Sequence, residues 1–307
     1  MNGHPMERYG HNMKLLRIAG LSLFLLSAVT FAGYCGYEVS RNDIAGPVIE
    51  FAGEDVTVGV TVTDEELLKN VTAYDEKDGN VTDSLLIETI SDFIKPGQRM
   101  ITYAAFDKNS NVTKRERKLN YTDYESPRFS LEKPLRFAVG DAANILDFIK
   151  VWDCIDGDLT EKIKYEEPDY SFGTAEDSHQ IKFQVTNSAG DTSILPTEVQ
   201  FYIPAYNSEK LVPEILLEKY LIYLKTGETF NPEAFLKGVR INQMEYSIIA
   251  DIGISIEHST QSAIARKDIS ISTNVNTRKP GVYQVEYSMT AQNGYSGTTK
   301  LLVVVEE

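Results

Sequence analysis

Oxygen donors gather at two points of this 307-residue chain. Asp75 and Asp78 flank a turn that ends in Asp78-Gly79, and Asp107 and Asn109 stand in a second, Asn-rich turn further along. If the two turns share one end of a β-sandwich, their carboxylate and amide oxygens form the donor set that a hard Ca²⁺ ion takes. The same side chains also accept hydrogen bonds from turn N–H groups with no ion present. The hydrogen-bonded turn cluster is the favoured reading, and a Ca²⁺ site at Asp75, Asp78, Asp107 and Asn109 is the alternative. Asp153, Asp156 and Asp158 repeat the first half of the cluster. Asn187 replaces the second acid there, so any site at that place would be poorer.

Catalytic chemistry finds little footing. His4 and His11 precede the apolar run described below, and His179 and His258 stand apart from any Cys, Asp or Glu at metal-ligand spacing. Gly294-Tyr-Ser-Gly297 lacks the Gly-x-Ser-x-Gly spacing of a nucleophile elbow and reads as a hairpin turn. Glu166, Glu167 and Asp169 crowd one acidic loop around Pro168, where carboxylates are ordinarily solvated. The expectation is a protein that is not an enzyme and carries no cofactor. Trp152, the single tryptophan, follows an apolar segment and is expected to pack in a core; an exposed sugar-stacking platform is the other reading.

The elements that position these residues read as strands. Val56–Val62, Met100–Phe106 and Val282–Tyr287 are rich in β-branched and aromatic residues and alternate partly with period two. Asp-Gly, Asn-Gly and Pro-Gly pairs punctuate them, because Gly and Asn tolerate positive φ and Pro presets a turn. Many short strands so punctuated indicate an all-β fold of antiparallel sandwiches. Helical spacing appears only in short pieces near Asp64–Lys69, Asn144–Val151 and Asn231–Leu236.

The pattern repeats at an offset of about 80 residues, the signature of tandem modules. Asp75-Glu-Lys-Asp78-Gly79-Asn80-Val81-Thr82 is matched by Asp153-Cys-Ile-Asp156-Gly157-Asp158-Leu159-Thr160, and the strand Arg99–Asp107 by Gln180–Thr186. A third copy keeps only its second half, Lys279-Pro280-Gly281 leading into Val282–Met289. Linkers fall at Ala45–Pro47, Asp123–Pro127 and Pro204–Pro213. The expected organisation is a head over 1–17, an apolar span over 18–37, and modules over 46–123, 124–205 and 206–307, the last divergent. Linkers this short predict restricted motion between modules.

The residues Asp75-x-x-Asp78-Gly79-Asn80-Val81-Thr82, Pro96-Gly97, Thr102-Tyr103-x-Ala105-x-Asp107 and Asn111, followed by the basic strand from Thr113, resemble bacterial immunoglobulin-like modules related to the HYR repeat. A variant of these modules occurs in a pesticidal crystal toxin, and they include the DUF5011 type. The resemblance covers most of Gly46–Asp123, is partial over Tyr124–Ala205 and faint over Tyr206–Glu307. It implies tandem seven-stranded immunoglobulin-like β-sandwiches in an extracellular stalk or adhesion role, without catalysis and without a named ligand.

Ile18–Tyr37 carries no charge, and its length as a helix, about 30 Å, matches a bilayer's hydrocarbon core. Arg8, Lys14 and Arg17 precede it, so the positive-inside rule predicts a single-pass anchor with a cytoplasmic N-terminus and an extracellular body. A cleaved secretory signal ending near Thr30-Phe31-Ala32 is the alternative, and Ala32-Gly33-Tyr34-Cys35 resembles a lipobox spoiled by the bulky Tyr34. The formal charge of −15 argues against a nucleic-acid partner. Two cysteines so placed leave the body without an internal disulfide, a habit that suits a bacterial surface better than an animal secretory pathway. Asn70, Asn80, Asn111 and Asn120 open Asn-x-Thr sequons, read here as strand and turn residues. The function expected is a non-enzymatic, membrane-anchored surface protein that engages an extracellular protein or glycan. The alternative is a carbohydrate-binding accessory protein for cell-wall or host glycans.

Overall fold

One long helix, α1 (Met6–Arg41), precedes a body of twenty-one strands among the described residues of the computed structural model. These are residues 6–41, 44–140, 142–166, 172–174, 176–203, 211–249 and 263–307. His4, Glu167, Asp169, His258 and the linker residues 204–210 lie outside them. Within α1, Met13–Glu38 has a mean hydropathy of 2.0 and is long and apolar enough to cross a membrane. Ser22, Ser27 and Thr30 turn their hydroxyls back onto the carbonyls of Ala19, Phe24 and Leu26, which satisfies the polar side chains inside the helix itself.

The fold is all-β beyond this helix, in tandem immunoglobulin-like sandwiches. The chain falls into two compact units. One comprises Met1–Val56, Thr63–Ile90 and Ile101–Lys118, the other Thr57–Val62, Ser91–Met100 and Leu119–Glu307. In the first unit β1 (Val48–Phe51) lies antiparallel to β3 (Val71–Asp75), with Val48 opposite Tyr74. Between them come β2 (Asp55–Val58) and α2 (Asp64–Leu67), whose start is fixed by a capping box: the Thr63 hydroxyl accepts the Glu66 N–H, and the Glu66 carboxylate accepts the Thr63 N–H. β3 turns into β4 (Gly79–Asn80), and a second sheet takes the order β2-β7-β6-β5 with β5 (Leu86–Ile90), β6 (Gln98–Phe106) and β7 (Val112–Tyr121). Ile49, Leu67, Val71, Ala73, Ile101 and Tyr103 are buried, and the Tyr103 hydroxyl donates to the Leu67 carbonyl at 2.9 Å. Arg115 lies over the Phe51 ring and bonds the Ile49 carbonyl, closing the edge with a cation–π contact.

The second unit repeats this plan. β8 (Arg128–Leu131) lies antiparallel to β10 (Ile149–Asp153), which turns into β11 (Gly157–Asp158). β9 (Arg136–Ala138) instead joins β13 (Thr192–Tyr202) in parallel, and β13 pairs along its length with β12 (Asp177–Thr186). The opening strand is thus shared between two sheets. The same division recurs where β14 (Glu214–Leu217) pairs with β16 (Leu236–Ile241) and β15 (Leu221–Lys225) runs parallel to β21 (Ser296–Glu306). β17 (Met244–Ile249), β18 (Ala263–Ala265), β19 (Ile269–Thr273) and β20 (Gly281–Thr290) complete these two sheets. The buried residues from Phe129 to Val305 form one continuous apolar cluster.

Two of the short helical pieces read from the sequence become 3₁₀ turns, Ala142–Phe148 and Pro232–Phe235, the latter capped by Asn231. The divergent stretch after Pro213 has no Asp-Gly turn. Its hairpin between β16 and β17 is closed by Asn242 and Gln243, with φ of 51° and 68°. Two left-handed residues match the strand twist, but Gln carries a steric penalty there that Gly does not. Gln243→Gly should raise stability by about 0.5–1 kcal/mol, measured as the denaturation midpoint; an unchanged or lower midpoint would show the turn to be unstrained.

Candidate functional site

Both copies of the Asp-rich turn are built around a carboxylate that closes a strand. Asp75 ends β3 and is buried, and its Oδ1 accepts the N–H groups of Lys77 and Asp78 at 2.8 and 2.9 Å. Asp153 ends β10 and does the same for Ile155 and Asp156 at 2.9 and 2.8 Å. Gly79 and Gly157, with φ of 76° and 75°, supply the left-handed residue that brings the chain back.

The second turn docks on the first. Asp78 accepts the Lys108 N–H at 2.8 Å, and the Lys108 ammonium lies 3.3 Å from its other oxygen; that backbone bond is the largest influence holding the Asp78 carboxyl below its usual range. Asp107, also buried, accepts the Asn111 N–H at 2.7 Å and the Asn111 side-chain amide at 2.6 Å. The structure therefore brings the Asp75–Asp78 turn and the Asp107–Asn111 turn together and engages their carboxylates with N–H donors. Asn109 stands exposed at the tip. Among the described residues no group of three or more His, Cys, Asp or Glu converges in a metal-holding arrangement.

In the second copy acid and amide exchange places. Asn187 stands where Asp107 does and Asp191 where Asn111 does. Asn187 donates its amide to Asp153 Oδ2 at 3.1 Å and to the Tyr124 hydroxyl oxygen at 3.0 Å, and Tyr124 donates to Asp191 Oδ2 at 2.6 Å. Burial first, and then the Asp191 carboxylate, push the Tyr124 phenol far above its ordinary range. The Phe93 ring packs on Tyr124 with centroids 4.3 Å apart and planes tilted by 41°, and the Phe93 N–H donates to the Ala189 carbonyl at 2.9 Å. The hairpin Ser91–Met100 is thereby seated on the Asn187–Asp191 turn. The sequence separates these residues by roughly 100 positions and marks the seat only by Tyr124 standing in a linker.

A second set of contacts ties Arg128–Tyr202 to Glu214–Glu306. Arg128 pairs with Glu306 at 2.7 Å and lies over the Tyr223 ring, whose hydroxyl accepts the Phe129 N–H at 2.9 Å. Lys300 pairs with Glu198 at 2.5 Å. Burial raises the Tyr223 phenol to about 12. A cavity of about 40 Å³ remains here, lined by Leu135, Thr197, Gln200, Tyr220, Gln284 and Leu302 among others.

Trp152 corrects the expectation of core packing. It is 66% exposed. β10 buries Ile149, Val151 and Asp153, so period two turns Lys150 and Trp152 outward. His179, isolated in sequence, is buried between the rings of Phe172 and Phe201. Cys35 and Cys154 are both free thiols.

No family model matches the chain. An uncharacterized 81.3 kDa protein of Acholeplasma phage L2 is similar at 25% identity over 190 residues, which is 62% of this chain but only 22% of that protein. Among solved structures, the CBM51-2 (in complex with GlcNAc) and INT domains of ZmpB from Clostridium perfringens align with 48% of this chain and 26% of theirs, at 16% identity and a TM-score of 0.21. The extracellular domain of protocadherin gammaB4 aligns with 85% of this chain and 49% of its own, at 11% identity and a TM-score of 0.18. The lipoprotein BT2262 from Bacteroides thetaiotaomicron aligns with 83% of this chain and 98% of its own, at 10% identity and a TM-score of 0.19.

Tyr124→Phe removes one donor and one acceptor from the buried network and should cost about 1–2 kcal/mol at neutral pH, read by chemical denaturation. A phenol whose pKa is raised in the folded state contributes stability that is whole below its unfolded value, near 10, and is lost as pH rises beyond it. The wild type should therefore lose stability above about pH 10, and Tyr124→Phe should lose less over the same interval. Equal losses in both proteins would show that Tyr124 is not the group responsible.

Proposed function

We propose that this is a non-enzymatic surface protein held in a membrane by α1, with its β-sandwiches, spanning 46–123, 124–205 and 206–307, outside as a stalk or binding surface. The observation that carries the reading is the helix itself. Along Met13–Glu38 the apolar side chains stand exposed, with Leu16, Leu23 and Phe24 at 77, 72 and 69%. Apolar surface of that extent is stable in lipid and not in water. Lys14 and Arg17 ahead of it favour a cytoplasmic N-terminus. Removal of the segment as a secretory signal is the rival fate, and both leave the body outside.

The joints support a load-bearing or presenting role, because hydrogen bonds, ion pairs and a continuous apolar cluster hold the second unit together without disulfides. A carbohydrate-binding role is the second reading, and the exposure of Trp152 is the observation in its favour. Protease added to intact cells that express the full chain should degrade the body and leave a membrane-embedded fragment of α1. A body protected until the cells are lysed would overturn the topology. Release of the whole body into the medium would select the cleaved form.

A further inference from the structure

We infer that Trp152 is the stacking platform of a saccharide-binding site on the outer face of the β11-β10-β8 sheet. Its setting is specific. A Cβ on Gly157 would stand 3.7 Å from the far edge of the indole, so that edge lies beside the Gly157 turn while the side chain as a whole is 66% exposed. Gly157 is held at φ 75°, a conformation that side chains rarely adopt, and it closes the β10-β11 turn beside the ring. Arg128 and Asp158 stand directly opposite Trp152 in register, and Ser130 stands opposite Lys150. The Arg128 guanidinium is fixed by Glu125, Glu306 and the Tyr223 ring. The exposed indole thus has polar cross-strand neighbours, Arg128 and Asp158, the first with its guanidinium held in place.

Area decides the class of occupant. On the outer face of the β11-β10-β8 sheet, Trp152 is the large hydrophobic residue among Arg128, Ser130, Lys150 and Asp158. A stable protein interface buries about 800 Å² on each side around an apolar centre. A tryptophan offers about 150–250 Å² in all. One ring suits one sugar ring. A pyranose whose hydroxyls are all equatorial presents a face of axial C–H groups to an indole and its hydroxyls to the rim, so the ligand is a β-linked oligosaccharide of gluco configuration. The corresponding position of the first repeat carries Tyr74, 61% exposed and likewise one residue before the buried Asp. The inference deepens the carbohydrate-binding reading above and asks of the topology only that the body face outward.

Trp152 is the sole tryptophan, so its emission reports on this site alone. Full-length protein in detergent micelles is titrated with cellohexaose and with chitohexaose. A saturable change in emission is expected with at least one of them. By calorimetry Trp152→Ala should weaken binding about tenfold or more, and Trp152→Phe should retain part of it. Because the ring is exposed, Trp152→Ala should melt within about 2 °C of the parent, which separates lost binding from lost folding. Unchanged emission with both sugars up to about 10 mM, beyond the range of useful affinity, would overturn the inference. So would undiminished binding by Trp152→Ala, or an emission shift that follows protein concentration without sugar, which would mean that a second copy covers the ring. None of these outcomes touches the protease result, so the site and the topology fail separately.

Discussion

A carboxylate buried at the end of a strand is the constraint from which the rest of each repeat follows. Leaving Asp75 or Asp153 ionised and unpaired at such depth would cost several kcal/mol. Each is stabilised by the N–H groups two and three residues on, and a left-handed glycine four residues on brings the chain back alongside the strand. That turn sets the register of β4 against β3 and of β11 against β10, with Asp75 opposite Gly79 and Asp153 opposite Gly157. Side chains alternate along a strand, so an inward aspartate forces its predecessor outward. Tyr74 and Trp152 are exposed for this reason.

The two copies keep this device and vary what surrounds it. Moving the acid by four residues, from Asp107 to Asp191, and the amide the other way, from Asn111 to Asn187, preserves the number of polar groups at the turn. The consequences differ. In the first copy the acid is satisfied by its own turn, through Asn111. In the second, the amide reaches the strand-closing Asp153, and the displaced acid is left to accept a phenol from the linker. A conservative exchange in composition thereby turns a self-contained turn into a seat for Tyr124 and the hairpin that packs on it.

Much of this was legible in the sequence. Period-two runs and Gly, Pro and Asn turns announce strands because pleat and left-handed φ leave direct marks on residue choice, and the helix α1 announces itself by length and hydropathy. The proximity of the Asp75–Asp78 and Asp107–Asn111 turns was legible too, since opposed turns share an end of a sandwich. Trp152 was not, because the apolar residues from Ile145 to Val151 suggest that an indole beside them continues the core. The deciding signal is Asp153, whose burial reverses the parity, and the alignment of Trp152 with Tyr74 was the clue available. The Asn242-Gln243 hairpin was missed for another reason: Gln is seldom chosen at positive φ, so the pair lacks the Asn-Gly signal that marks such a turn. The joints depend on partners far apart in sequence, such as Arg128 with Glu306, and no local pattern encodes them.

Arg128 belongs both to the outer face and to the joint. It stands opposite Trp152 on the outer face, and the same guanidinium stacks on Tyr223 and pairs with Glu306 at the joint. Its neighbour Phe129 gives its N–H to the Tyr223 hydroxyl and its ring to the continuous core. One short strand, β8, therefore supplies both residues of the joint, Arg128 through its guanidinium and Phe129 through its N–H, while Arg128 stands opposite Trp152 in register. Anything that seats against Trp152 meets a rim whose geometry is set by the packing of Leu221–Glu306 as well as by its own sheet. With no disulfide to hold the second unit, that shared strand and the apolar cluster beneath it fix the orientation of the exposed indole, and rigidity of this origin lets a single ring act as a platform.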